Sequence, residues 1–208
     1  TSTNDDGVNK IYMRYAEVLL MAAEMENELT GPSAAAPYLK QVRQRAFAQT
    51  DWPTKVDAYV NGLSGKEAMF NAIVEENAFE FCGEMERKQA LIRWNLLKAK
   101  MDEAKVKMDN LRHRTGEYSD LPSDLYYNFV SDEDGQLTKL SVYGLNRGET
   151  ADMSGEYPFS VLGWVGPTKI TDAQKDALYT NNPDQNQFWP IWQVFLDASN
   201  GKLTNDYG

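Results

Sequence analysis

Apolar and polar positions follow a helical period through the first half of the chain and a strand-like period only briefly in the second. Ile11, Tyr15, Val18, Ala22, Met25 and Leu29 recur at spacings of four and three. That predicts a helix over 12–29 with those residues on its buried stripe and Glu17, Glu24 and Glu28 off it. Thr30-Gly31-Pro32-Ser33 stops it, because Gly suits a C-cap, Pro blocks continuation and Ser can cap the next helix. The second helix carries Tyr38, Leu39, Val42 and Ala46 inside and Lys40, Arg43 and Gln44 outside, with Pro37 in its first turn. So short a link makes the two helices antiparallel neighbours.

Asp51-Trp52-Pro53 interrupts the period, and Val56, Tyr59, Val60 and Leu63 predict a short helix after it. Ser64 and Glu67 stand at capping-box spacing before a long helix. Its inner face is Phe70, Ile73, Val74, Ala78 and Phe81, and Gly83 closes it. From Met85, Leu91, Trp94, Leu97, Met101, Ala104 and Met108 predict one further helix running to about His113. The pattern then changes. Leu125–Val130 and Leu137–Tyr143 flank an Asp134-Gly135 turn, the signature of a β-hairpin. Beyond Gly144 the chain is rich in Gly, Pro, Asn and aromatics, which predicts ordered loops, a short strand within 155–166, a short helix over 172–179 and a helical turn over 195–199. The fold class expected is mainly α: tetratricopeptide-like antiparallel helical hairpins over 11–113, with a loop-rich part over 114–208 that carries a small β-hairpin and packs on them. The repeat's own Trp, Leu and Gly pattern is absent.

Composition narrows the function classes. The 208 residues are 42% hydrophobic and 25% charged, enough for a sizeable core. A formal charge of -10 opposes nucleic acid and anionic membrane surfaces, which need clustered Lys and Arg. No run approaches the length of a membrane span, and Thr1–Asp6 is polar where a signal peptide is charged and then apolar. Cys82, the single cysteine, is expected as a packed thiol inside a helix.

Catalytic and metal chemistry find little support. His113 is the single histidine, expected near a helix C-terminus, so zinc sites with two or more His ligands are excluded. Nucleophile elbows and phosphate-binding glycine loops are missing. Glu75, Glu76, Glu80, Glu84 and Glu86 invite comparison with a glycosidase carboxylate pair, but Glu76, Glu80 and Glu84 follow one helix edge opposite the apolar stripe, which reads as a solvated face. Asp132, Asp134 and Gly135 resemble part of a calcium loop. With Gly135 at the sixth position, however, Val130 and Ser141 occupy the first and twelfth, where carboxylates are needed. No catalytic residue, metal ligand or cofactor is assigned. Trp52, Tyr118, Trp164, Trp189 and Trp192 fall in predicted loops, where an exposed ring can stack on the apolar face of a sugar while polar neighbours bond its hydroxyls. Large aromatics that anchor loops to a core would look the same.

Three stretches resemble the SusD/RagB family of outer-membrane nutrient-uptake lipoproteins. Met13-Arg14-Tyr15-Ala16-Glu17 and the apolar residues after it are similar to the family's Arg-Tyr-Ala-Glu stretch, and Val42-Arg43-Gln44-Arg45-Ala46 to its Val-Arg-x-Arg-Ala helix. Glu80-Phe81-Cys82-Gly83-Glu84, with Arg87 and Leu91-Ile92-Arg93-Trp94, is similar to its Glu-Phe-x-Gly-Glu-x-x-Arg and Leu-Ile-Arg-Trp run. Order and spacing agree over 12–98. Trp189-Pro190-Ile191-Trp192 stands where a Pro-Ile-Pro segment is common, and Asn205-Asp206-Tyr207-Gly208 is similar to the usual terminus. Ala90 and Lys40 depart from a frequent Asp and Asn.

The resemblance implies a non-enzymatic protein on the outer face of the outer membrane. It would bind a glycan, as an oligosaccharide or polysaccharide, or another nutrient, and deliver it to a SusC-like TonB-dependent transporter. The chain would be the C-terminal portion of such a protein, with the membrane met only through a lipid anchor on an N-terminal part upstream. The alternative is a helical scaffold that docks on the transporter without a ligand site in this part.

Overall fold

A computed structural model describes residues 12–185, 187–188 and 190–205. Ile11, Trp189 and residues 206–208 lie outside the described residues. The chain forms two compact units, one up to Ala90 and one from Leu91 onward.

The first unit is built on α1 (Tyr15–Leu29) and α2 (Pro32–Gln44), joined by Thr30 and Gly31 alone. Both link N–H groups donate to the Glu26 carbonyl at 2.8 Å, and Gly31, at φ +116°, turns the chain directly into Pro32 at the first helical position. The expected hairpin is present, with two differences. Helix α2 begins at Pro32, so Pro37 lies inside it rather than in its first turn. The buried stripe of α1 is Ala16, Leu19, Leu20, Ala23 and Asn27, whereas Tyr15 and Leu29 of the predicted stripe are 68% and 84% exposed and Val18 and Met25 also face out. This helix is apolar on two sides. Periodicity finds both stripes, but the small Ala16 and Ala23 decide which one lets neighbouring helices approach closely enough to pack.

A 3₁₀ turn (Gln49–Asp51) leads into a π-helical stretch (Trp52–Asp57) and then α3 (Ala58–Asn61), which together bury Val56 and Val60. Helix α4 (Lys66–Glu80) packs on α1 and α2 and closes a core of Leu19, Leu20, Leu39, Val42, Ile73 and Phe81. Its N-cap is Gly65 at φ +88°, and the Ser64–Glu67 capping box does not form. The start of α4 is tied instead to α1: Asn27 Nδ2 donates to the Lys66 carbonyl at 2.8 Å, and Lys66 Nζ donates to the Glu28 carbonyl. Helix α4 ends at Glu80. Cys82 therefore lies in the turn beyond it and is exposed, not packed.

The predicted helix from Met85 is two helices, α5 (Arg87–Arg93) and α6 (Leu97–His113). Asn95 takes the left-handed conformation at φ +55°, its N–H donates to the Ile92 carbonyl at 2.9 Å and the Leu96 N–H to the Leu91 carbonyl at 2.8 Å. That pair of bonds is the Schellman closure of a helix end.

In the second unit, β1 (Leu125–Ser131) pairs antiparallel with β2 (Leu137–Tyr143) and with β3 (Phe159–Val161), in the order β2-β1-β3. The predicted hairpin turn is present. Asp132 Oδ1 accepts the N–H groups of Asp134 and Gln136 at 3.1 and 2.8 Å, and Gly135 sits at φ +77°. Register places Tyr126, Asn128 and Val130 opposite Tyr143, Ser141 and Lys139 on one face. Leu125, Tyr127 and Phe129 take the other, with Phe159 stacked between the rings of Tyr127 and Phe129 at 5.2 and 5.0 Å. At Gly144 a Cβ would meet the Asp124 carbonyl at 2.4 Å, and φ is +98°, so the strand leaves the sheet through a corner that a side chain would block. Short helices α7 (Asp172–Asp176) and α8 (Gln193–Ala198) fall within one to three residues of the expected positions.

Candidate functional site

Charged residues from all three sequence stretches converge in the first unit. Arg14 donates from Nε and Nη2 to both oxygens of Glu84 at 2.7 and 2.8 Å, and from Nη1 to Glu80 at 2.6 Å. Its guanidinium also lies 4.6 Å from the Phe81 ring. Arg45 adds a second bond to Glu80 at 2.9 Å. Arg43 bonds Glu76 at 2.6 Å and stacks 4.0 Å from the Tyr59 ring. Arg87 donates to the Val74 carbonyl at 2.6 Å and to Asn77 at 3.0 Å, both within α4.

Glu76, Glu80 and Glu84 are thus not a solvated face. Glu76 is 5% exposed, and burial pushes its carboxyl above the usual range while the Arg43 bond pulls it back. Every carboxylate that a glycosidase reading would need along this edge is held by an arginine. Such a cluster fixes helix positions and leaves no facing pair with room for a sugar between them.

The second unit holds a hollow of about 440 Å³ against α6. Ala104, Met108 and Leu111 form its floor and Ile170 and Tyr118 its walls, with Lys107, Lys169 and Gln174 as polar groups. Helical spacing puts Ala104, Lys107, Met108 and Leu111 on one face of α6. Arg114, at φ +51°, and the Thr115 N–H bond to the Asn110 carbonyl at 2.9 Å end α6, and a 3₁₀ turn (Gly116–Tyr118) carries Tyr118 into place. The opposite wall is tied to α6 by Arg112, a buried guanidinium that bonds Asp109 at 2.8 Å, Asp172 at 2.6 Å and the Ile170 carbonyl at 3.4 Å. Gln174 closes a capping box with Thr171. Lys107 is paired with Glu103 at 2.7 Å, and the bonds from Lys100 and Lys107 hold the Glu103 carboxyl down to about 2. The volume of the hollow falls within the range of roughly 300–1,000 Å³ common to small-ligand pockets.

Of the aromatics singled out in the sequence, Tyr118 lines this hollow. Trp52 belongs to the first unit, where its indole N–H is shared between the carbonyls of Gln44 and Phe47 at 3.2 and 3.1 Å, an anchoring role. Trp164 is exposed on the loop after β3, and its backbone N–H bonds the Ser123 carbonyl at 3.0 Å. Trp192 is 73% exposed and edge-on to Phe195. Trp189 lies outside the described residues. The remaining residues of the hollow were not singled out, although Ala104 and Met108 do fall on the stripe predicted for this helix. His113 is the last residue of α6, as expected, with Nδ1 3.0 Å from the Asp109 carbonyl.

Comparison with protein families matches residues 1–208 to the SusD family. The chain belongs to that family. Among curated proteins, the SusD-like protein P25 of Formosa agariphila is 47% identical over 90 residues, which are 43% of this chain and 16% of the relative. The matched segment thus spans well under two thirds of that relative's length. No solved structure matches. The SusD-family stretches named above are the ones whose arginines and glutamates interlock at Arg14, Arg43, Glu76, Glu80 and Glu84. Among the described residues of this SusD-family chain, no helix is long and apolar enough to cross a membrane.

Proposed function

We propose that this SusD-family chain is part of a non-enzymatic surface protein that binds a glycan and passes it to a TonB-dependent outer-membrane transporter. The family match over residues 1–208 carries the reading. The hollow on α6 supports it: the Tyr118 ring and the apolar floor suit the less polar face of a sugar ring, and Lys169 and the Gln174 amide nitrogen offer donors to its hydroxyls. Trp164 and Trp192, exposed on loops of the same unit, are further stacking candidates. The arginine-bound carboxylates of α4 hold the scaffold and take no part in ligand chemistry.

Screening the full-length protein against an array of plant, algal and bacterial polysaccharides, followed by calorimetry on the glycan retained, tests the proposal. Tyr118→Ala should weaken that glycan about tenfold, the loss expected for one stacked ring. Unchanged affinity would remove the hollow from the site, and retention of no glycan would remove the glycan reading.

A second reading has its own observation. The outward stripe of α1, Tyr15, Val18, Met25 and Leu29, is an apolar surface of the kind that packs against another protein element. On this reading the first unit is a docking scaffold. Val18→Asp with Met25→Asp would then abolish co-purification with the transporter while leaving glycan affinity intact.

A further inference from the structure

The polar face of the three-stranded sheet holds a second hollow, of about 280 Å³, that no residue of the glycan reading above touches. Its floor comes from two cross-strand pairs, Asn128 with Ser141 and Val130 with Lys139. Its wall is Glu156 and Tyr157, from the loop that leads into β3.

That loop is fastened over the sheet. Tyr126 donates its hydroxyl to Asp152 Oδ1 at 3.1 Å, and the Ala151 N–H donates to the Tyr143 hydroxyl at 3.3 Å. The Tyr157 hydroxyl lies 3.5 Å from Ser141 Oγ, with its ring 6.5 Å from that of Tyr143. Tyr126, Ser141 and Tyr143 all stand on the same face as the hollow. Asp152 is itself fixed by the Ser154 N–H at 2.9 Å, which holds its carboxyl below the usual range. Sheet and loop together make a preformed wall beside a hollow that stays open to solvent.

What the polar groups inside do is the informative part. The side chains of Asn128, Lys139 and Glu156 make no hydrogen bond or ion pair with another described residue, although elsewhere in this unit exposed carboxylates and lysines pair with one another. An amide, an ammonium and a carboxylate therefore line one small hollow with their bonding capacity unused by the protein, beside two hydroxyls that meet each other. Opposite charges stand in it without neutralising each other, so neither an anion nor a cation is favoured over a neutral ligand. A ligand that satisfies donors and acceptors at once, on adjacent atoms, is a vicinal diol.

We propose that this hollow binds one neutral, hydroxyl-rich sugar residue through hydrogen bonds, as a second contact for the glycan. Glu156 and Asn128 Oδ1 would accept from ring hydroxyls, while Lys139 and Asn128 Nδ2 would donate to them. Tyr157 borders the cavity as the one aromatic surface. The volume lies just under the range of roughly 300–1,000 Å³ common to small-ligand pockets, which suits a single residue and not a buried chain. The proposal rests on the glycan reading but concerns a site with different residues and a different mode: bonding here, stacking at Tyr118.

The full 208-residue chain, isotopically labelled, is titrated with the methyl glycosides of glucose, galactose, mannose, xylose and rhamnose, and with methyl glucuronide, while amide and Asn side-chain resonances are followed by NMR. At least one neutral glycoside should shift the resonances of Asn128, Lys139, Ser141 and Glu156 in a saturable way. Glu156→Gln should weaken that response about tenfold, since it replaces charge-assisted bonds by neutral ones, and Asn128→Ala should weaken it about fivefold. Both positions are exposed, and unchanged spectra elsewhere would verify folding. Shifts confined to Tyr118 and the face of α6 would overturn this site and leave the glycan reading standing. Shifts at the sheet hollow with methyl glucuronide alone would overturn the neutral-ligand assignment, and shifts at neither hollow with any glycoside would overturn both.

Discussion

The unit that ends at Ala90 and the unit that begins at Leu91 differ in how much of their aromatic and charged chemistry is built into a core. In the first, Phe81 is buried in the core and the arginines close on carboxylates that are themselves largely covered. In the second, Phe129, Phe159, Trp164 and Trp192 remain exposed, few side chains are fully buried, and charged groups pair at the surface. A region built like the first resists change because each part is over-determined by several neighbours. A region built like the second holds its shape through turns, corners and surface bonds, which leaves rings and polar groups available to a ligand.

Two substitutions in the first unit measure how far this contrast goes. Phe81→Ala empties a fully packed site and also strips the ring from beneath Arg14, so it should cost about 4 kcal/mol in urea unfolding. Phe129→Ala on the exposed sheet face should cost less than about 1 kcal/mol. Equal losses would dissolve the distinction. Next in size, Arg14→Ala strands Glu84 and leaves Glu80 to Arg45 alone in a largely covered site, and should cost about 3 kcal/mol. Arg14→Lys should recover less than half of that, because one ammonium cannot reproduce the fork that spans both carboxylates.

The same contrast explains what could be read in the sequence. The α1–α2 hairpin, the place of α4, and the β-hairpin with its Asp-Gly turn follow from local rules of period and turn chemistry, and the structure agrees with them. The buried stripe of α1 did not follow, since Tyr15, Val18 and Met25 are as apolar as Leu19 and Leu20 and only neighbours choose between the two sides. The pairing of Arg14 with Glu84 joins residues 70 positions apart, which no local pattern encodes. The family stretches contained all its members without saying that they touch. Asn95 was a readable stop inside the predicted long helix, because Asn tolerates the left-handed conformation at a helix end. Tyr118 was legible as a candidate by its place in a loop. Lys169 and Gln174 were not, because they reach the hollow only through the tie from Arg112 to Asp172 and the Ile170 carbonyl.

The smallest expected effect is the response to acid, and it separates the units by sign. In the second unit the carboxyls of Asp102, Glu103, Glu149 and Asp172 are held below their usual range, by Lys98, by Lys100 and Lys107, by Asn146 and by Arg112 respectively. A folded value below the unfolded one means that the unfolded chain binds more protons in acid. The stability these groups contribute is therefore present above about pH 4 and is lost as pH falls through their folded values, which for Glu103 lies at about 2. Glu76 in the first unit has the opposite sign. Burial raises its carboxyl, so its ionised form costs stability at neutral pH and protonation relieves that cost as pH falls. Amide protection followed from pH 7 to pH 2 should thus fade first in α6 and the sheet. Glu103→Gln should lower the stability of the second unit at pH 7 by less than about 1 kcal/mol, because the group is exposed and screened, and should make its decline between pH 4 and pH 2 shallower. A steeper decline in that variant, or loss of the first unit before the second, would mean that surface pairing is not what holds the second unit together.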